Sequence, residues 1–234
     1  MNNLSRLLQD IKENPVMYLD KPSIICLHSF LNGYLDAQMV LGLDREGSEI
    51  EGFQEWIQER VKTKVSQSWS GIILFISGSE KNAFYSFFQL FDEFLNQKKT
   101  SKSEQDSVRE NFQSNVDDLK SQRYDFDPYK LLEWIKKRPG MYLGSASITR
   151  LDMLLRGYSL AKREVGLPPT EQEQNFDGFQ SWVQERYGVK SNQSWAKIIL
   201  FYSTDEQEAL ERFFELFEEY LNQNKSQNRE VGCV

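Results

Sequence analysis

The 234 residues contain a single histidine and only two cysteines. That scarcity removes most of the side chains used for acid–base catalysis, thiol attack and zinc ligation. The histidine is His28, and Cys26 lies two positions before it. On a helix, positions two apart do not face each other, so the pair forms no catalytic dyad. Cys233 sits near the C-terminus, in no metal-like spacing with Cys26. Such cysteine usage fits a reduced, cytoplasmic protein without a disulfide framework. Long apolar runs are also missing. No stretch nears the roughly 18 apolar residues needed for a transmembrane helix. The opening MNNLSRLLQDIKENP carries Asp10 and Lys12 where a signal peptide would be apolar, so no leader is expected.

Aromatic residues are plentiful: 16 Phe, 10 Tyr and 5 Trp. They supply enough apolar material for packed cores and exclude a disordered chain. The net charge of −7 disfavours contact with a phosphate backbone and permits a basic protein partner.

Two stretches of the chain match each other. NPVMYLDKPSIICLHSFLNGYLDA, from Asn14, matches RPGMYLGSASITRLDMLLRGYSLA, from Arg138. GFQEWIQER then matches GFQSWVQER, QSWSGIILFIS matches QSWAKIILFYS, and SEKNAFYSFFQLFDEFLNQ matches DEQEALERFFELFEEYLNQ. A repeat of this length predicts a tandem duplication. The expected fold is mainly α, with a module of about five helices present twice. The first copy covers residues 1–97 and the second 128–223. A polar linker, 98–127, joins them, and 224–234 reads as a loose tail. Within the linker, residues 106–122 are expected to be transiently helical.

Within each copy the first helix places Leu7, Leu8 and Ile11, or Leu131, Leu132 and Ile135, at helical spacing. Pro15 and Pro139 should end it. Ser23 and Ser147 are expected N-caps of the second helix, and Gly42 and Gly166 fit its C-terminal cap. The third helix is short and carries Phe53 and Trp56, or Phe179 and Trp182. The IILF segments have the spacing of a helix and the composition of a buried strand. Their helical neighbours decide for a helix. The fifth helix opens on Ser77-x-x-Glu80 or Ser203-x-x-Glu206, which resembles a capping box, and then presents a Phe-rich face.

No catalytic, cofactor or metal set is predicted. KKRPGMYLGS, from Lys136, resembles the RPGMYIG stretch of gyrase-type ATPase domains. That family requires a following helix with a catalytic Glu and a magnesium-binding Asn. Here the helix is ITRLDMLLRGYSLA, with neither in place. A basic set, Lys136, Lys137, Arg138, Arg150, Arg156, Lys162 and Arg163, occurs only in the second copy and lacks interleaved stacking residues, so nucleic acid is an unfavoured partner.

Polar identities between the copies are more informative. Gln54, Gln58, Glu59, Arg60, Gln67 and Ser68 recur as Gln180, Gln184, Glu185, Arg186, Gln193 and Ser194. Internal capping together with a Glu–Arg pair is one account; a contact surface present on both copies is the other. The candidate partner-binding residues are therefore Gln54, Gln58, Glu59, Gln180, Gln184 and Glu185. Glu208, Glu211, Glu215 and Glu218 on the last helix join them as an acidic docking face.

The succession RPGMYLG, GYxxA, FQxWVQER, SWxxIILF and an acidic Phe-rich helix resembles small bacterial proteins of the immunity type. That resemblance implies a stoichiometric inhibitor that binds and neutralises a cognate toxin domain. An enzyme with an unrecognised site and a nucleic-acid-associated regulator are the alternative readings.

Overall fold

A computed structural model describes residues 3–42, 49–105 and 128–231. These residues form twelve α-helices and no strand. They divide into two compact units. The first unit carries α1 (Asn3–Glu13), α2 (Pro15–Leu19), α3 (Ile24–Val40), α4 (Phe53–Val61), α5 (Trp69–Ser77) and α6 (Glu80–Gln105). It also includes Arg156–Tyr158. The second carries α7 (Pro128–Lys137), α8 (Pro139–Leu143), the rest of α9 (Ile148–Glu164), α10 (Glu171–Arg186), α11 (Trp195–Phe201) and α12 (Glu206–Val231).

The mainly α expectation holds, and both IILF segments are helical. Each unit has six helices among its described residues, rather than about five. The additional one follows from proline. Pro15 and Pro139 break the first helix, and Asn14 and Arg138 leave helical dihedrals. Each proline then occupies the first turn of a new short helix, where its missing N–H costs nothing. The ends also differ from expectation. Helix α6 runs on to Gln105, and α12 continues to Val231, through most of the segment that reads as a tail. The helical character expected at 106–122 lies outside the described residues.

Ser23 and Ser147 cap their helices as expected. Ser23 Oγ accepts from the Cys26 amide at 3.3 Å, and Ser147 Oγ from the Arg150 amide at 3.1 Å. The expected caps of α6 and α12 are displaced. Ser79 caps α6 through the Asn82 amide, and Asp205 caps α12 through the amides of Gln207 and Glu208. Glu80 and Glu206 turn away to accept from Ser23 Oγ at 2.5 Å and Ser147 Oγ at 2.7 Å. Both acids thus tie the first turn of the last helix to the cap of the second long helix in their own unit. A capping box does occur, at Thr170 and Glu173 opening α10.

Each core is organised around one phenylalanine. Phe53 is fully buried, and the rings of Trp56, Trp69, Phe87, Phe91 and Phe94 lie 5.3–5.9 Å from it. Phe179 holds the corresponding place in the second unit, amid Phe176, Trp182, Trp195, Phe213, Phe217 and Tyr220. Leu131, Leu132, Ile135, Leu151 and Leu154 complete that core.

Asp20 and Lys62 hold positive φ in the first unit where the second has Gly144 and Gly188. Gly188 follows α10 with φ at 63°, whereas Lys62 occupies the matching place after α4 with φ at 56°. The left-handed region costs a residue with a Cβ about 1–2 kcal/mol, partly offset by the larger unfolded-state entropy of glycine. Lys62→Gly is therefore expected to stabilise the first unit by up to about 1 kcal/mol. A urea midpoint below that of the unsubstituted chain would contradict this account.

Candidate functional site

The polar residues that recur between the matching segments form hydrogen bonds inside each unit. Gln54 Nε2 donates to the Gln67 carbonyl at 3.0 Å, and its Oε1 accepts from the Trp69 amide at 2.6 Å. Gln180 repeats both bonds with Gln193 and Trp195, at 3.1 and 2.6 Å. Each glutamine clamps the loop that leads into α5 or α11. Gln58 donates to the Val65 carbonyl and Gln184 to the Ser191 carbonyl, fixing the preceding turn. Trp56 Nε1 donates to Gln97 at 2.7 Å, and Trp182 Nε1 to Gln223 at 2.8 Å. Ser68 and Ser194 cap α5 and α11. A buried or half-buried amide requires such partners, which gives the glutamines a structural task.

The arginines do not pair with the neighbouring Glu59 and Glu185. Arg60 reaches Glu93 at 3.5 Å and Arg186 reaches Glu219 at 3.3 Å, each on the last helix of its unit. Adjacent helix positions diverge by about 100°, whereas a facing helix lies within reach. Glu59 and Glu185 are exposed, and their carboxylates make no hydrogen bond or ion pair among the described residues.

The acidic residues of α12 divide similarly. Glu218 pairs with Lys136 of α7, whose ammonium also lies over the Phe214 ring. Glu208 accepts from Thr204 and from Arg212, the latter at 2.7 Å. These bonds, first those from Thr204, hold its carboxyl below the usual range. Glu211 accepts from Gln207, and Glu215 is exposed and makes no such bond among the described residues.

Three of the second unit's basic residues are engaged within it. Lys136 is paired, and Arg150 donates to the Leu143 carbonyl at 2.8 Å. Lys162 is largely buried against Glu173 at 2.6 Å. The thiol of Cys26 is buried, and burial pushes its pKa up, disfavouring the thiolate. His28 is half-buried with its ring edge-on to Trp69 at 4.9 Å. The matching position, Asp152, is buried and accepts from Ser194 Oγ at 3.3 Å. Among the described residues no three of His, Cys, Asp and Glu gather closely enough to hold a metal ion. No helix among them is long and apolar enough to cross a membrane.

The residues that the sequence reading passed over lie at the ends of α5 and α11. Phe75 is 87% exposed and Phe201 is 80% exposed. They occupy the same place in the matching IILF segments, followed by Ile76 and Tyr202, which are also exposed. The signal was present in the spacing. With 100° per residue, a helix that buries Trp69, Ile72 and Ile73 must turn Phe75 away from them. In the second unit the exposed end is an aromatic cluster. The Tyr202 ring stacks on Tyr187 at 4.6 Å, with Phe201 edge-on to it at 5.1 Å. Arg212 donates to the Tyr202 carbonyl at 3.0 Å, fixing this end to α12.

No protein-family model, curated protein or solved structure matches this chain.

Proposed function

We propose that this chain is a protein-interaction protein of the immunity type, which binds a cognate bacterial toxin domain and neutralises it. The observation that carries the reading is the pair Phe75 and Phe201. A single exposed apolar residue needs no explanation, but the same large side chain left in water at the same place in both units does. An apolar anchor of this kind is stabilised when a partner pocket desolvates it. The recurring glutamines then serve the scaffold that holds each anchor in place, because they fix the loop entering α5 or α11. The pairing of Lys136, Arg150 and Lys162 argues against the nucleic-acid alternative, since a phosphate contact would have to displace partners already bound.

The test is co-expression with the toxin domain encoded by the adjacent open reading frame. The expected result is a one-to-one complex that survives gel filtration, together with growth of cells that the toxin alone arrests. Cells that remain arrested despite abundant soluble protein would end this reading.

A further inference from the structure

The second unit's anchor differs from that of the first in both rigidity and charge. Tyr187, Phe201 and Tyr202 form a continuous aromatic cluster, whereas the matching positions in the first unit are Val61, Phe75 and Ile76. The cluster is held before any partner arrives. Tyr202 stacks on Tyr187, and Arg212 binds the Tyr202 backbone and Glu208. Large aromatic side chains fixed in this way lose little rotamer freedom on binding, which is the usual property of an interface hot spot.

Charge identifies the occupant. Arg212 ties α12 to this cluster, and on that helix Glu208, Glu211 and Glu215 recur at spacings that keep them on one face. On α6 the matching residues are Asn82, Tyr85 and Gln89. Arg212, the one cation of this α12 stretch, is offset by Glu208 at 2.7 Å. Glu211 and Glu215 are exposed and form no ion pair among the described residues, which gives this face of α12 a negative rim. We propose that the Tyr187–Phe201–Tyr202 cluster and the Glu211–Glu215 rim form a docking surface for a basic amphipathic helix of the partner protein. An apolar stripe would cover the aromatic rings, and flanking lysines or arginines would meet the rim. This assignment rests on the protein-interaction reading above and adds the unit, the surface and the charge of the partner.

Two synthetic helical peptides with the same leucine stripe, one completed with lysine and the other with glutamate, test the surface on the full chain. Fluorescence anisotropy at low salt should show binding of the lysine peptide alone. Phe201→Ala combined with Tyr202→Ala should weaken it by about tenfold, and Glu211→Gln with Glu215→Gln by about fivefold with a flatter salt dependence. Phe75→Ala with Ile76→Ala should change it less than about twofold, the range of a near-neutral contact. All these positions are exposed, and matched circular dichroism melting curves confirm that each variant folds. Equal binding of the glutamate peptide, or an equal loss from the first-unit and second-unit pairs, would overturn the assignment, as would no binding of the lysine peptide. The outcome is separable from the toxin test. Protection of cells without lysine-peptide binding removes this surface alone, and peptide binding without protection removes the immunity reading alone.

Discussion

Phe179→Ala is expected to unfold most of the second unit's cooperative structure at temperatures the unsubstituted chain tolerates. Phe179 is fully buried, and six aromatic rings lie 5.3–5.9 Å from its own. Truncating a buried phenylalanine costs about 3–5 kcal/mol, through lost transfer energy and the cavity left behind. Ring–ring terms add to this, though not by simple summation, because the neighbours also contact one another. A unit of this size has roughly 5–15 kcal/mol to lose in total. A fall in melting temperature of roughly 15–30 °C should follow. Phe201→Ala provides the contrast, since it removes the same atoms from a side chain that is 80% exposed. Its effect should stay within about 0.5 kcal/mol. Thermal and urea unfolding followed by circular dichroism check both. A loss below about 1 kcal/mol for Phe179→Ala would show that the core can collapse around the gap.

The contrast between these two phenylalanines also marks how far the sequence could be read. Helix type followed from periodicity, and the IILF segments, expected as helices from their neighbours, are helical. Phe53 and Phe179 were legible as apolar residues of a short helix, which in the second unit is the 16-residue α10, but their place at the centre of each aromatic core was not. That place depends on which helices pack together, which a local pattern does not encode. Positions of caps were readable to within two residues. Ser79 and Asp205 outcompete Ser77 and Ser203 because α5 keeps Ser77 in its last turn, and Ser203 donates back to the Ile199 carbonyl. The short α2 and α8 were missed because proline signals both the end of one helix and the start of the next.

The candidate surface was less legible for a related reason. Polar identity between matching segments marks a constraint without saying whether the constraint lies inside the unit or outside it. Gln54 and Gln180 supply both a donor and an acceptor to their own loops, and Gln58 and Gln184 each supply a donor. The acidic set on α12 was readable as a face, but its division into paired Glu208 and Glu218 and unpaired Glu215 depends on α7 and on Arg212. Exposure of Phe75 and Phe201 could have been derived from helical geometry alone, because Ile72 and Ile73 fix the inward direction.

A second large effect is expected at Lys162, where electrostatics rather than volume decides. Its ammonium contacts both oxygens of Glu173, at 2.6 and 2.7 Å, and the two side chains are only 12% and 18% exposed. The same carboxylate accepts from the Thr170 amide at 2.7 Å and closes the capping box of α10. Lys162→Met leaves Glu173 largely buried without its counter-ion, a change that costs about 3–5 kcal/mol when burial is complete and toward the lower end here. Adding Glu173→Gln should recover most of the loss, because glutamine can still serve the capping box and no buried charge remains. The pH dependence has a definite sign. Burial disfavours ionisation of Glu173, but the bonds from Lys162 and Thr170 outweigh it and hold the carboxyl below its ordinary value of 4.5. A depressed folded pKa contributes stability above the unfolded value and loses it as pH falls through the folded one. In the unsubstituted chain this contribution should therefore be complete at neutral pH and fade below about 4.5. The penalty of Lys162→Met should shrink as pH falls and begin to do so above that window, because burial without the counter-ion favours protonation of the stranded carboxylate. Urea midpoints measured from neutral to acid pH give the comparison. A penalty that stays constant across that range would mean that lost packing of the lysine stem, not the ion pair, accounts for the effect.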